Sequence, residues 1–260
     1  MKKSSILKSL GSILSVLIIL TITVSNASAQ SQKVIKNVVL VHGAFVDGSG
    51  YRGIYDILSK QGYNVTVVQN PLSSLADDVE ATKAALDRQE GPTLLVGHSY
   101  GGSVITEAGD HPNVAALVYI AAFQPDKGES ALDLAKTEPG SPKNGILPAD
   151  EKGILYYDKE KFHDGFAADL PKEQTDFMYA SQGRFAAAAL DAKVTKASWK
   201  TKPSYGIVAT QDEAIVPSLQ RKMYKKGNAK ITEIKGSHAV FISHPKEVAD
   251  VIIRASKEVK

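Results

Sequence analysis

Short apolar runs rich in β-branched residues recur through the first half of the chain: Asn37–Val41, Tyr63–Val68, Thr93–Val96 and Val114–Ala122. Asn37–Val41 is a continuous apolar, β-branched run, the pattern of a strand covered by helices on both faces of a parallel sheet. The segments between the runs carry helical spacing. Tyr51–Gln61 places Ile54, Ile57 and Leu58 on one side and stops at Gly62, which suits the left-handed turn that ends a helix. Leu75–Gln89 is amphipathic, with Asp77, Asp78 and Glu80 in its first turns, where the helix dipole favours acids. The same rhythm returns late in the chain, with a strand over Ser204–Thr210, a helix over Pro217–Lys226, a strand over Lys230–Ile234 and a closing helix over Pro245–Val259. Strands alternating with helices predict an α/β fold with a doubly wound, mostly parallel sheet.

The rhythm breaks over residues 123–202. This stretch holds Pro125, Pro139, Pro142, Pro148 and Pro171 and no strong strand run. Helical patches stand out around Lys172–Ser181 and Arg184–Leu190. The segment reads as a small helical cap inserted over the edge of the sheet.

The first 29 residues have a different character. Lys2, Lys3 and Lys8 precede an apolar run from Ile13 to Val24, and Ala27-Ser28-Ala29 follows as a small-x-small cleavage signal. Residues 1–29 are therefore expected to be a secretory signal peptide, leaving residues 30–260 as one α/β domain outside the cytoplasm, secreted or periplasmic. The apolar run is short for a membrane span of roughly 20 residues, and no Cys follows the cleavage site. A stable membrane anchor after cleavage is not expected.

Composition narrows the chemistry. Removing the three lysines of the leader leaves 28 basic and 28 acidic residues, so the domain is near neutral and carries no footprint for nucleic acid. The chain has no cysteine, which excludes disulfides, thiolate catalysis and thiolate metal sites. No pair of histidines has metal-ligand spacing with a supporting carboxylate, so neither a metal nor another cofactor is expected.

The densest signal is Gly97-His98-Ser99-Tyr100-Gly101-Gly102, between an apolar strand and a helix. A G-x-S-x-G run in that setting is a nucleophile elbow, a tight turn that raises the serine hydroxyl above the carboxyl edge of the sheet. A serine hydroxyl needs a base within reach and a third group to orient that base. In this architecture the chain order is serine, acid, histidine. Asp212 lies just past the strand that begins near Ser204, and His238 just past Lys230–Ile234. Ser99, Asp212 and His238 thus fall on loops at one edge, with Ser99 as nucleophile, His238 as base and Asp212 as its orienter. Glu213 is the second choice for the acid. His244 abuts Pro245 at a helix start and reads as structural. Oxyanion donors are expected from the backbone N–H of Tyr100, after the nucleophile, and of Ala44, after the first strand, with Phe45 as its neighbour. His42 is expected to brace the first loop, His98 to pack, and His111 and His163 to lie at the surface. Pocket candidates are Phe45, Tyr100 and Phe123 beside these loops, and Phe177, Met178, Phe185 and Trp199 in the cap.

Together, Val39–Phe45, Gly97–Gly102, Ala121–Asp126, Thr210–Glu213 with Pro217, and Ser237-His238 resemble the α/β-hydrolase superfamily. The resemblance covers nearly all of residues 30–260. Within the superfamily these motifs look like the small-cap serine esterases related to plant methyl-ester esterases and hydroxynitrile lyases. The resemblance assigns the acid to the Asp five residues before a Pro, which is Asp212, and an oxyanion N–H to Ala44. It implies a small-molecule ester as substrate, and it does not fix the oligomeric state. The lyases carry Thr and Lys where this chain has Gly43 and Ala239, so cyanohydrin chemistry loses its usual supporting residues. Ser99 argues against dehalogenases, whose nucleophile is Asp. A serine carboxylic-ester hydrolase is the leading expectation. A carbon–carbon lyase and a small-molecule binding protein on a hydrolase scaffold are the alternatives, and perhydrolases share the same triad.

Overall fold

In the computed structural model, residues 34–259 are described; the stretch read as a signal peptide lies outside them. The strands β1 (Asn37–Val41), β2 (Asn64–Val68), β3 (Thr93–His98) and β4 (Val114–Ile120) alternate with the helices α1 (Arg52–Lys60), α2 (Leu75–Asp87) and α3 (Gly101–Ala108). An insertion follows, holding α4 (Ala131–Ala135), β5 (Ile154–Leu155), α5 (Lys159–Phe166), α6 (Lys172–Ala180), β6 (Phe185–Ala186) and α7 (Ala187–Asp191). The chain then returns to the sheet with β7 (Ser204–Ala209), α8 (Pro217–Lys226), β8 (Lys230–Ile234), α9 (Val240–Ser243) and α10 (Pro245–Glu258). The main sheet has six strands in the order β2-β1-β3-β4-β7-β8, all parallel.

Burial follows strand position. β3 and β7 are buried along their whole length, whereas the edge strands β2 and β8 are half exposed. The unbroken apolar runs in the sequence are the central strands. The connection from β1 to β2 runs one way along the sheet and that from β3 to β4 the other. Right-handed crossovers therefore set α1 and α3 on opposite faces. In accord with this, α1 packs on α10, and α2 packs on α3. The strand order reverses between β1 and β3, and such a switch point opens a crevice at the carboxyl ends of the strands. The loops after β1 and β3 carry Ala44 and Ser99.

Within the insertion, α6 falls in the first expected helical patch, whereas in the second, Arg184–Leu190, Phe185–Ala186 forms β6 and only the part from Ala187 on is helical, as α7. α4, α5 and the antiparallel pair β5–β6 were not anticipated. They are short and locally held: Ser130 and Asp133 form a reciprocal capping box on α4, and Asp158 caps α5 through the Glu160 amide. β6 is also tied to the main domain, because the Ala186 amide donates to the Leu72 carbonyl at 2.9 Å. Among the described residues, no helix is long and apolar enough to cross a membrane.

Candidate active site

Ser99 stands at the end of β3 with φ +56°. A non-glycine residue in this left-handed region costs about 1–3 kcal/mol and persists only when its surroundings enforce it. Here the Ser99 amide donates to the Ile120 carbonyl, and the Ser99 carbonyl accepts from the amides of Gly102 and Phe123. The elbow sits so close to β1 that a Cβ on Gly101 would lie 2.7 Å from the Val41 carbonyl oxygen. Glycine is required there by space.

The structure brings three sequence-predicted side chains together. Ser99 Oγ lies 2.8 Å from His238 Nε2, and His238 Nδ1 lies 2.7 Å from Asp212 Oδ2. His238 and Asp212 are buried. The hydrogen bonds assign the tautomer. Asp212 Oδ1 accepts from the amides of Ala214 and Ile215, and Oδ2 accepts from Gln220 Nε2 at 2.8 Å. A carboxylate acting purely as acceptor makes His238 Nδ1 the donor and leaves Nε2 free to accept the Ser99 hydroxyl proton. Glu213, the alternative acid, instead bonds the cap through Ser141 Oγ and forms an ion pair with Lys143.

Gln220 was missed by sequence reasoning. It lies on the buried side of α8 with Leu219, Met223 and Tyr224. Its Oε1 accepts from the Ala209 amide while Nε2 serves Asp212 and the Ile215 carbonyl. A lone amide on an otherwise apolar helix face was the available signal.

Ala44 and Tyr100 are both buried, and neither amide is hydrogen-bonded to another group among the described residues. Buried backbone donors are almost always paired, and these two residues line the same cavity as Ser99. Phe45, next to Ala44, also has a left-handed backbone, at φ +62°. Its ring meets Tyr157, Phe166 and Phe185 edge-on.

A cavity of about 80 Å³ opens onto Ser99 and His238. Its walls include Phe45, Phe123, Tyr157, Phe166, Phe185 and Ile146, so the lining is largely apolar and much of it comes from the cap. Three pocket candidates fall elsewhere. Phe177 is 72% exposed and lines an outer groove on the far side of Phe45. Trp199 is buried against the segment after β4, where its Nε1 donates to the Pro125 carbonyl at 2.8 Å. Each sits on a cap segment whose apolar spacing does not reveal which side meets the cavity. Met178 lines the same outer groove as Phe177.

The remaining histidines have distinct surroundings. His42 Nδ1 donates to the Gly43 carbonyl and Nε2 accepts the Asn70 amide, which braces the first loop. His98 Nε2 donates to the backbone carbonyl of His238 itself, a role beyond the packing expected of it. Burial foremost, and then the neighbouring His238, hold its pKa well below the ordinary value. His111 is largely covered and contacts Asp87. Among the described residues, no group of three or more His, Cys, Asp or Glu side chains is placed to hold a metal.

A parallel sheet with a strained serine at its switch point, backed by a buried histidine–aspartate pair, is the architecture of an α/β-hydrolase. The chain belongs to the alpha/beta hydrolase family, whose profile matches residues 38–251. It is 28% identical over 243 residues to an alpha/beta hydrolase of Aspergillus novofumigatus, covering 85% of this chain and 96% of the relative. It is 27% identical over 254 residues to a pyrethroid hydrolase of Sphingobium wenxiniae, covering 84% and 86%. The crystal structure of a pyrethroid hydrolase from Sphingobium faniae superposes with a TM-score of 0.71 at 25% identity, covering 86% of this chain and 98% of that one.

Proposed function

We propose that this protein is a secreted serine carboxylic-ester hydrolase that acts on small or medium esters of low polarity. The carrying observation is the continuous chain from Ser99 Oγ through His238 to Asp212, at 2.8 and 2.7 Å, beside the amides of Ala44 and Tyr100, which have no partner among the described residues. His238 Nε2 takes the hydroxyl proton as Ser99 Oγ attacks the ester carbonyl. Asp212 fixes the ring and stabilises the imidazolium. The carbonyl oxygen becomes an oxyanion and accepts from the amides of Ala44 and Tyr100. When the intermediate collapses, the C–O bond to the alcohol breaks and Nε2–H protonates the departing oxygen. Water then attacks the acyl-serine with His238 again as base, and the carboxylic acid leaves.

The apolar cavity wall favours an uncharged substrate, since no Lys, Arg, Asp or Glu lines it. The pyrethroid hydrolase similarity supports ester cleavage in the same direction. The residue after His238 is Ala239, and no Lys or Arg lines the cavity, so the lyase reading has no cation beside the reacting carbon to support it. The deciding experiment is hydrolysis of a p-nitrophenyl ester by the purified protein and by Ser99→Ala. The parent should turn over and the variant should lose activity. Undiminished turnover by folded Ser99→Ala would remove Ser99 as nucleophile.

A further inference from the structure

The loop bearing His238 is bonded on both sides to one short piece of the cap. Asp169, between α5 and α6, reaches across to it. Its Oδ2 accepts the Ser237 amide at 2.9 Å and the Ser243 hydroxyl at 2.8 Å, and its Oδ1 accepts the Ser237 hydroxyl. A few residues earlier, the Phe166 carbonyl accepts the Ala239 amide at 3.1 Å, and the Phe166 ring meets the His238 imidazole edge-on at 4.8 Å. The residues before and after the base, Ser237 and Ala239, are thus both held by the segment Phe166–Asp169.

The chemistry of Asp169 is unusual for a carboxylate near a surface. Among the described residues it has no Lys or Arg partner, and its one ion-pair neighbour is His244, at 3.6 Å. Its hydrogen bonds all come from uncharged donors on the His238 loop and the helix that follows. Burial opposes its ionisation, but the bonds from Ser237 and Ser243 outweigh this and hold the carboxyl below the usual carboxylate range.

We propose that Asp169 is a positioning residue for His238, and that the cap, through Asp169 and Phe166, sets the aim of the base toward Ser99 as well as shaping the cavity. The proposal rests on the reading of His238 as general base. A base displaced by a fraction of an ångström loses rate without losing substrate affinity.

The bond pattern supplies a sharp test. In Asp169→Asn, the amide oxygen can accept from the Ser237 amide and the Ser243 hydroxyl, while the amide nitrogen donates to Ser237 Oγ. Position is kept and charge is lost. In Asp169→Ala both are lost. Both variants of the full chain are assayed with p-nitrophenyl acetate, and kcat is normalised to active sites titrated with a fluorophosphonate. Asp169→Ala should lose about tenfold in kcat with KM within about twofold, and Asp169→Asn should stay within about threefold of the parent. Unchanged kcat per active site in Asp169→Ala overturns the proposal. So does Asn as impaired as Ala, which would point to the charge. Should Asp169→Ala fail to fold, the double variant Ser237→Ala/Ser243→Ala removes two of the three donors; it should lower kcat in the same direction, and unchanged kcat sinks the idea. Ser99→Ala in the same assay keeps the two claims apart: its retained activity defeats the functional reading, whereas an unaffected Asp169→Ala beside an inactive Ser99→Ala defeats only this one.

Discussion

His98 donates its Nε2–H to the backbone carbonyl of His238 at 2.9 Å, and the two imidazoles lie 4.7 Å apart. The residue before Ser99 therefore grips the His238 loop from beneath, just as Phe166 and Asp169 bond it from the cap. Replacing His98 with Phe keeps most of the ring packing and removes the donor. A buried carbonyl left unpaired costs about 1–3 kcal/mol. We expect His98→Phe to fold with a lowered thermal midpoint and to lose roughly tenfold in kcat with little change in KM. Steady-state kinetics and a melting curve check this, and a parent-like kcat would show that the bond does not aim the base.

The pH dependence of stability follows from three buried groups. His42 and His98 have pKa values lowered from 6.5, chiefly by burial. Each holds its proton less tightly in the native protein than in the unfolded chain, so unfolding takes up protons below about pH 6.5 and stability falls as pH falls. Asp78 has the opposite sign. Burial raises its pKa from 3.8 to about 6, despite bonds from the Leu72 amide and the Tyr100 hydroxyl. It is protonated in the native state and ionised in the unfolded state between about pH 4 and pH 6, so its contribution grows as pH falls through about 6. Each proton of difference is worth about 1.4 kcal/mol per pH unit. The histidine pair outweighs Asp78, so the protein should lose stability from pH 6.5 to 5. Asp78→Asn removes the compensating group and should make that loss steeper. Urea titrations across this range would test it, and parallel pH slopes for parent and variant would contradict the assignment.

The sheet was readable because its central strands are covered on both faces, so runs such as Leu94–Val96 carry no polar positions. Ser99, Asp212 and His238 were readable as loop residues because each lies a few residues past a strand, although Lys230–Ile234, at the sheet edge, carries polar positions. The cap was not. Phe177 and Phe185 have similar local sequence character, yet one is exposed and the other lines the cavity, and a pair of two-residue strands is too short to leave a period. Gln220, His98 and Asp169 act through hydrogen bonds from side chains that carry no motif of their own: His98 to His238, Asp169 to Ser237 and Ser243, Gln220 to Ala209, Asp212 and Ile215. Only the folded topology brings those partners together.

The first loop approaches Ser99 without spare room. A Cβ on Gly43 would lie 2.6 Å from Ser99 Cβ and 2.9 Å from the His98 carbonyl oxygen. Gly43→Ala must push the loop, and with it the Ala44 amide, away from the serine. Loss of one oxyanion donor costs about 10²–10³ in kcat. We expect a folded protein with kcat reduced on that scale, checked by turnover and circular dichroism. Near-parent turnover would mean that the Ala44 amide is not used.

Two cap aromatics should separate cleanly. Phe177 is exposed and outside the cavity, so Phe177→Ala should keep kcat/KM for a small ester within about twofold. Phe185 is 1% exposed, touches Phe45 and Tyr100 and lines the cavity. Phe185→Ala should destabilise the protein by about 3–5 kcal/mol and alter KM for apolar esters. Equal effects from the two would refute this placement of the cap.

Gln220 offers a test of the acid that does not remove it. Its Nε2 donates to Asp212 Oδ2 while its Oε1 accepts from the Ala209 amide. In Gln220→Glu a second carboxyl faces Asp212, and two like charges sharing a buried site force one to hold a proton. While protonated, the introduced carboxyl can donate to Asp212 Oδ2 much as the amide does, so the network is rebuilt at low pH. At high pH it must ionise, and the repulsion disturbs the group that orients His238. Catalysis still requires His238 to be unprotonated, so activity is confined between these two demands. The variant should therefore show a narrowed pH–rate profile whose alkaline limb moves toward lower pH, while the acid limb stays near that of the parent. Measuring kcat/KM against pH for both proteins decides the matter. An alkaline limb identical to the parent's would mean that Gln220 does not govern the state of Asp212.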